Sequence, residues 1–273
     1  MTELSGQKIA EAIIGRLKEQ ASPQKYLAIV VVAPDATTES FVRQKKKVAE
    51  ELGVDFRLYK FPEDSTQDGL RQEVRKIAEH STCGGVIVQL PLPAHINRHY
   101  VMNVIPREKD VDVLGERALG ALYAGRNTVL PPAVETVLAI TESLKIKFDE
   151  TTMAIIGAGL LIGKPISLWA SSQVKELAIF QKSTSDIKNK LKNYDLIVSG
   201  AGSPHLFSAE DCAPGAVVID FGYGKKDGEL AGDFNPEGHE AIPGVYTPTP
   251  GGTGPILVAK LFENFYRLSQ AQK

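Results

Sequence analysis

The stretch "MAIIGAGLLIGKP", Met153–Pro165, joins a short apolar run to a glycine-rich loop and then to a helical pattern. A tight turn at Gly157, a close backbone approach to a pyrophosphate at Gly159 and helix packing near Gly163 are typical of a nucleotide-binding loop. The spacing G-x-G-x-x-x-G is one residue longer than the common dinucleotide fingerprint, and such glycines can also be purely structural. The strand–helix context favours nucleotide binding, with predicted contacts at Gly157, Ala158, Gly159 and Gly163.

The end of the next predicted strand bears on which dinucleotide would bind. An NAD enzyme usually carries an acidic residue there, but this chain continues Phe180-Gln181-Lys182-Ser183-Thr184, without a carboxylate. Lys182 with Ser183 or Thr184 suits a 2′-phosphate, which predicts NADP as the cofactor. The alternative is a solvated turn lysine followed by a helix N-cap.

Helical and extended patterns alternate on both sides of this region. In the first half they predict helices near residues 5–20, 38–52 and 66–79 and strands over 27–32, 55–59 and 85–89. In the second half they predict strands over 153–157, 176–180, 195–200 and 216–222 and helices over 163–173 and 186–191. Strands alternating with helices of this length indicate right-handed β-α-β units and parallel sheets. The predicted fold class is therefore α/β with two lobes.

Three further segments suggest how the lobes are connected. A helix that starts after Pro131-Pro132 is a plausible connector from one lobe to the other. Asp227-Gly228 lies between two short segments and predicts a hairpin turn. A final helix over residues 254–270 follows the turn-rich "TPTPGGTGP" and is expected to return to the first lobe.

Composition limits the classes of partner. A chain of 273 residues with 43% apolar content suffices for two medium α/β domains, and its net charge of -2 provides no basic field for nucleic acid or anionic lipid. The longest apolar run, Leu27–Ala33, is too short to span a bilayer, and the N-terminus does not resemble a signal peptide. We expect a cytoplasmic protein in which Cys83 and Cys212 are free, buried thiols.

Lys45, within "SFVRQKKKVAEELG" (Ser40–Gly53), falls inside the apolar stripe of its predicted helix, one turn after Phe41. A buried ammonium needs partners, and an apolar wall would lower its pKa towards the range useful for proton transfer. The alternative is that the lysine stem covers apolar surface while its head reaches water.

Two other polar residues lie in apolar surroundings in the first half. Gln89 ends a strand and is followed at once by "LPLP", and Asp112 stands between valines in "REKDVDVLG". Each side chain could cap backbone groups or contact a ligand. His95 and His99 are four residues apart, but no third ligand stands at a supporting spacing, so we predict no metal site.

The order of these motifs resembles the bifunctional methylenetetrahydrofolate dehydrogenase/methenyltetrahydrofolate cyclohydrolase family over almost the whole chain. The resemblance rests on "LAIVVVAPDATTESFVRQKKKVAEELG", "GVIVQLPLPAHI", "IPREKDVDVLG", "IIGAGLLIGKPISL", "VVIDFGYG" and "YTPTPGGTGP". It implies a catalytic domain over residues 1–132 and 254–273, with an αβα folate-binding lobe, and a Rossmann-like NADP domain over 133–253. It also implies a homodimer.

The same resemblance implies roles for individual residues. Lys45, Gln89 and Asp112 would be catalytic, with Asp112 also anchoring the pterin of a tetrahydrofolate substrate. Phe41 occupies the position of a family tyrosine and would contact the substrate. Pro250, Gly251 and Gly252 would line the cleft beside the nicotinamide and the folate.

The implied reactions are NADP-dependent oxidation of 5,10-methylenetetrahydrofolate and hydrolysis of the methenyl product to 10-formyltetrahydrofolate. Four departures indicate a divergent member: Phe41 lacks a hydroxyl, Val113 replaces a glycine, residues 131–134 read "PPAV" in place of Pro-Cys-Thr-Pro, and Ala158-Gly159 replaces Arg-Ser. The alternatives are a folate- or nucleotide-binding protein without turnover and an enzyme with one of the two activities.

Overall fold

The computed structural model describes residues 1–272 and has an α/β fold, as predicted. Its strands are β1 Thr2–Glu3, β2 Tyr26–Val32, β3 Phe56–Phe61, β4 Cys83–Val88, β5 Thr152–Ile156, β6 Glu176–Phe180, β7 Leu196–Ser199, β8 Phe207–Ser208, β9 Val217–Asp220, β10 Gly224–Lys226, β11 Glu229–Ala231, β12 Phe234–Asn235 and β13 Val245–Tyr246. Its α-helices are α1 Gly6–Lys18, α2 Ala36–Glu51, α3 Gln67–Glu79, α4 Arg98–Met102, α5 Glu116–Tyr123, α6 Pro132–Ser143, α7 Gly163–Ala170, α8 Ile187–Leu191 and α9 Thr253–Ala271. Short 3-10 turns cover Arg107–Lys109, Phe148–Glu150, Ala209–Asp211 and His239–Ala241.

The chain folds into two compact units. The catalytic unit, as we call it, contains Ala12–Pro132 and the residues from Val258 onwards, and the nucleotide unit contains Met1–Glu11 and Ala133–Leu257. The contacts thus group the first eleven residues with the nucleotide unit, whereas the sequence-based ranges put them in the first domain. The functional domain ranges themselves stay a prediction.

The catalytic unit is built on a three-stranded parallel sheet in the order β3-β2-β4. Every residue of β2 is buried, which explains its unbroken apolar sequence, because a central parallel strand is covered on both faces. An isolated parallel bridge between Val86 and Asp110 continues the pairing beyond β4. The sheet therefore brings the segment around residue 110 next to the strand that ends at Val88.

The C-terminal helix α9 returns to this unit, as predicted. Its Asn264 is fully buried and donates hydrogen bonds from Nδ2 to the carbonyl oxygens of Val111 and Leu130, at 3.1 and 2.8 Å. Because a buried backbone carbonyl needs a donor, one side chain ties α9 to two loops of the unit.

The nucleotide unit contains a six-stranded sheet in the order β1-β13-β9-β7-β5-β6, in which every pairing is parallel. The strands β5, β7 and β9 are almost entirely buried. The order reverses between β5 and β7, and ligands of such sheets bind outside the carboxyl ends of the strands at this reversal. The glycine loop begins there, directly after β5.

The hairpin predicted at Asp227-Gly228 is confirmed. The strands β10 and β11 pair antiparallel with Lys226 opposite Glu229, and both turn residues have positive φ, 53° and 89°. Two positive φ angles are required by the turn type that matches the twist of a two-residue hairpin.

Among the described residues, no helix is both long and apolar enough to cross a membrane.

Candidate active site

Lys45 lies on the buried face of α2. The helix begins after Asp35, whose carboxylate accepts a hydrogen bond from the amide of Thr38 at 2.7 Å. Lys45 is 7% exposed, whereas the neighbouring Lys46 and Lys47 are exposed to solvent. The prediction that one lysine of the three points inward is therefore confirmed, and the alternative in which its head reaches water is wrong.

The buried ammonium contacts the glutamine at the end of the next-but-one strand. Lys45 Nζ donates a hydrogen bond to Gln89 Oε1 at 2.5 Å. The amide is held in this orientation because Gln89 Nε2 donates to the carbonyl oxygen of Leu90 at 3.0 Å. Gln89 thus caps a backbone group with one end and contacts Lys45 with the other, which confirms the capping alternative, while a contact with a ligand stays a prediction.

A buried carboxylate shapes the loop that carries Asp112. Asp110 is 4% exposed, and its Oδ2 accepts hydrogen bonds from the amides of Leu114 and Gly115 at 3.0 and 2.8 Å. Val113 adopts φ 58° between these groups. A β-branched residue rarely adopts this left-handed conformation, so the amides gathered by Asp110 must hold the loop against strain.

Lys45 and Asp112 interact electrostatically. Burial lowers the pKa of Lys45, and the negative charge of Asp112 opposes this effect. Burial raises the pKa of Asp112, and the positive charge of Lys45 opposes it in turn. The site therefore holds an acid and a base whose pKa values are displaced towards each other, an arrangement that suits proton transfer.

Phe41 lies one helical turn before Lys45, half-buried on α2. Residues four apart on a helix are neighbours on its surface, so an aromatic ring and the ammonium belong to the same face. The structure thus brings together Phe41, Lys45, Gln89 and Asp112 within the catalytic unit.

The glycine loop belongs to the nucleotide unit, and its geometry fits a phosphate group. Gly157 has φ 88°, and a Cβ atom on Gly163 would lie 1.8 Å from the carbonyl oxygen of Gly157, so no other residue fits at the helix start. A Cβ atom on Gly159 would meet nothing within 4 Å, and this exposed residue leaves space above the loop. Ala158 is half-buried beside it.

The three residues predicted to bind the cofactor phosphate after β6 differ in what they contact. Lys182 and Ser183 are exposed, while the hydroxyl of Thr184 accepts a hydrogen bond from the amide of Gln181 at 2.9 Å. Thr184 therefore stabilises the turn itself. Lys182 and Ser183 remain available to an anion, and a lysine with hydroxyls and no carboxylate suits a phosphate.

The turn at Pro250, Gly251 and Gly252 lies in the nucleotide unit and supports the start of α1. The Gly6 amide donates to the Gly251 carbonyl oxygen at 2.9 Å, and a Cβ atom on Gly6 would lie 1.7 Å from the oxygen of Gly252. Gly251 has φ 98° and is exposed. Gly251 thus has a structural reason that is independent of any ligand.

Two buried aspartates of the nucleotide unit matter more than their sequence context indicates. Asp220 caps the turn after β9 by accepting hydrogen bonds from the amides of Gly222 and Phe234, at 2.6 and 2.8 Å. Asp233 is fully buried, although its place after a glycine in a turn-rich stretch is typical of a surface residue. Its partners lie 30 to 34 residues earlier in the chain, so no local pattern reveals it.

The histidines and cysteines form neither a metal site nor a disulfide within the described residues. Within residues 1–272, no group of three or more His, Cys, Asp and Glu side chains is placed to hold a metal ion. His95 is exposed, and one of its ring nitrogens lies 3.1 Å from the Ser65 carbonyl oxygen. Cys83 and Cys212 are free and buried, as expected.

Parallel sheets, a glycine loop at a strand-order reversal and a separate lysine–glutamine–aspartate cluster define a two-unit α/β dehydrogenase-like protein. The family model for the tetrahydrofolate dehydrogenase/cyclohydrolase catalytic domain matches residues 4–112, and the model for its NAD(P)-binding domain matches residues 131–273. The chain belongs to the tetrahydrofolate dehydrogenase/cyclohydrolase family.

Individual members of this family are similar to the chain over nearly its full length. The bifunctional protein FolD of Lacticaseibacillus casei is 31% identical over 276 residues, with 98% of each chain covered. The structure of the FolD methylenetetrahydrofolate dehydrogenase/cyclohydrolase from Campylobacter jejuni has a TM-score of 0.94, 27% identity and complete coverage of both chains. The FolD enzyme of Trypanosoma brucei, solved with NADP and an inhibitor, has a TM-score of 0.91 and 26% identity, covering 99% of this chain and 97% of that one.

Asp110 generates a prediction about stability and pH. Burial raises its pKa to about 6, whereas an unfolded aspartate titrates near about 4. The folded protein therefore holds this proton more tightly, and the stability it contributes is present below about pH 4 and lost as the pH rises through about 6. Asp110→Asn keeps an oxygen for both amides but cannot ionise. Between about pH 4 and 7 the free energy of unfolding of the unmodified protein should fall as Asp110 ionises. The free energy of unfolding of Asp110→Asn should fall by roughly 2 kcal/mol less over the same range.

Urea unfolding at a series of pH values measures this difference. Asp64→Asn changes an exposed aspartate of the same unit and should leave the pH dependence as it is. Identical pH dependence for Asp110→Asn and the unmodified protein would contradict the assignment.

Proposed function

We propose that this protein oxidises 5,10-methylenetetrahydrofolate with NADP and hydrolyses the 5,10-methenyl product to 10-formyltetrahydrofolate. The observation that carries the proposal is the buried ammonium of Lys45 on the amide of Gln89, under the electrostatic influence of Asp112. Burying the Lys45 ammonium against the half-buried Gln89 and Asp112 is costly, and the fold alone gives no physical reason for it. Family membership supplies the substrate class.

The proposed cofactor is NADP, and the chain offers a fitting set of groups. Gly157, Gly159 and Gly163 leave room for a pyrophosphate at the start of α7, and Lys182 with Ser183 presents donors without a nearby carboxylate of the kind that binds a ribose hydroxyl. When bound, the nicotinamide accepts the hydride from the one-carbon bridge of the substrate. The Trypanosoma brucei relative, which was solved with NADP, supports this choice.

In the hydrolytic step, Lys45 handles the protons. Water adds through its oxygen to the carbon of the methenyl bridge, and the lowered pKa of Lys45 makes a neutral amine accessible to take the proton that this water loses. The bond from that carbon to N5 then breaks, and the ammonium returns a proton to N5. The second water proton leaves to solvent as the formyl C=O forms, so that one proton is released in total.

The neighbouring residues tune this step and anchor the substrate. Gln89 accepts a hydrogen bond from the ammonium and so favours a fixed direction of the Nζ group. Asp112 offers two acceptor oxygens to the ring nitrogen and amino group of the pterin. Phe41 offers an aromatic face for stacking. Pro250, Gly251 and Gly252 remain the proposed substrate contacts of the nucleotide unit.

The second candidate function is binding without turnover, or a single one of the two activities. It is favoured by the absent hydroxyl at Phe41 and by Val113, a buried β-branched residue that is held at φ 58°, a conformation typical of glycine.

We also propose which residues form each domain, that the protein is a homodimer and that it is located in the cytoplasm. Residues 1–132 and 254–273 would form the catalytic domain and 133–253 the NADP domain. The two matching family models support the boundary near residue 132, and the contacts of the last helix support its assignment to the first domain. A homodimer is supported by the family resemblance, and a cytoplasmic location by two free, buried cysteines.

Two assays on the purified protein test the function, namely NADP reduction with methylenetetrahydrofolate and hydrolysis of methenyltetrahydrofolate without cofactor. Activity in both supports the bifunctional enzyme, and activity in one identifies a single-activity member. Loss of both with retained NADP or folate binding would establish the non-catalytic candidate.

Lys45→Met is expected to lower the cyclohydrolase rate by roughly a hundredfold or more, because it removes the proton-transfer group while keeping an apolar stem of similar length. Hydride transfer needs no proton from this residue and should fall by less than about tenfold. Lys46→Met, on the exposed side of the same helix, is the matched control and should affect neither rate. An equal loss of both activities in Lys45→Met would refute the proposed role.

Phe41→Tyr restores the hydroxyl found at this position in the family. If the hydroxyl orients Lys45 or the substrate, the cyclohydrolase rate should rise several-fold, on the order of one additional hydrogen bond to a charged group. The turnover number at saturating substrate measures the effect, with thermal unfolding as the check on packing. An unchanged rate in a stably folded variant would mean that the aromatic face alone is used.

A further inference from the structure

Asp233 is a fully buried carboxylate that gathers three donors from one short segment. Its Oδ2 accepts hydrogen bonds from Ser199 Oγ at 2.6 Å and from the Ala201 amide at 2.8 Å, and its Oδ1 accepts from the Ser203 amide at 2.6 Å. A carboxylate with no exposed surface requires such donors, because desolvating a charge is expensive. In return, the segment from Ser199 to Ser203 has two of its backbone amides held by a single group.

This segment begins at the reversal of strand order. Ser199 is the last residue of β7 and pairs with Ile156, the last residue of β5. The following residue touches the glycine loop, since a Cβ atom on Gly157 would lie 2.9 Å from the carbonyl oxygen of Gly200. The crevice outside these two strand ends is where open α/β sheets bind dinucleotides. Residues 200–203 therefore begin beside the glycine loop, at the end of the strand next to β5.

The surroundings of Asp233 are shaped to keep the carboxylate in place. A Cβ atom on Gly222 would lie 2.4 Å from the carboxyl carbon of Asp233, so only glycine leaves room for it there. Gly202, in contrast, has φ 63° and an open Cβ direction, and it is exposed. The segment from Ser199 to Ser203 is thus held by Asp233 on its buried side, and Gly202 lies on its exposed side.

We propose that Asp233 is a positioning residue that holds residues 200–203 as one wall of the dinucleotide crevice and thereby sets the affinity for the cofactor. This role rests on the proposed NADP-dependent function. Asp233 does not touch the cofactor in this role. It acts through the backbone of Ala201 and Ser203, whose amides would otherwise turn outward to water.

The test compares Asp233→Asn with a matched control. Asp195 lies at the opposite end of β5 and β7, where its Oδ2 accepts hydrogen bonds from the amide and the hydroxyl of Thr152, at 2.9 and 2.8 Å. Asp233→Asn keeps the size of the side chain but replaces an acceptor oxygen by a donor. Its dissociation constant for NADP, measured by titration calorimetry, should rise on the order of tenfold or more, whereas Asp195→Asn should leave the constant unchanged.

Two further readouts separate positioning from general damage. In the cofactor-free protein, hydrogen exchange at the amides of Ala201 and Ser203 should accelerate in Asp233→Asn and not in Asp195→Asn. The KM for NADP should rise in Asp233→Asn, while methenyl hydrolysis, which needs no dinucleotide and takes its proton-transfer group Lys45 from the catalytic unit, should keep its rate. If Asp233→Asn does not fold, Ser199→Ala removes one of the three bonds and should raise the dissociation constant about threefold.

The outcomes are distinct. An unchanged NADP dissociation constant in a folded Asp233→Asn, or in Ser199→Ala where that is the variant available, overturns the positioning role while the proposed function stands. Failure of the unmodified protein to bind NADP overturns both. A parallel loss of NADP affinity and of methenyl hydrolysis also overturns the positioning role, because it marks general damage.

Discussion

The burial of the Lys45 ammonium is the constraint on which the candidate active site depends. A lysine that is 7% exposed must find acceptors inside the protein, and these come from two separate parts of the catalytic unit. Gln89 arrives from the end of β4 and provides a hydrogen bond, and Asp112 arrives from a loop beyond the same strand and provides charge. The parallel sheet makes this convergence possible, since the bridge between Val86 and Asp110 holds the loop against β4. The resulting pair of displaced pKa values is a consequence of packing, and it is what makes the cluster chemically useful.

Each unit uses the same device to shape the loop beside its site. In the catalytic unit, Asp110 gathers the amides of Leu114 and Gly115, and the loop that carries Asp112 is held in a conformation that includes a strained Val113. In the nucleotide unit, Asp233 gathers the amides of Ala201 and Ser203 next to the glycine loop. A buried carboxylate suits this task because it accepts several hydrogen bonds and becomes costly to bury when they are lost. Rigid walls of this kind reduce the ordering that a ligand must supply on binding.

Much of the fold could be predicted from local patterns, and the exceptions share a physical reason. The long helices and buried strands could be predicted because α2 has a clear apolar periodicity and β2 has an unbroken apolar run. The two-residue strands β1 and β13 were not, because so short a segment carries no periodicity and its pairing depends on partners far along the chain. Lys45, Gln89 and Asp112 were singled out because each is a polar residue in apolar surroundings. Asp233 was not, since an aspartate next to a glycine in a turn-rich stretch looks like an ordinary surface residue.

The sequence by itself determined the α/β class, the glycine loop after its strand, and the position of Lys45 within the apolar stripe of its helix. These features follow from residue type and local spacing, which act over one or two turns of backbone. Only the tertiary structure decided that Lys45 donates to Gln89, that the amides around Asp112 and Gly202 are gathered by Asp110 and Asp233, and that Asp220 caps a turn. Each of these is a contact between atoms whose approach depends on how strands pair and how loops cross, and a buried charge is stable only where that packing delivers its partners.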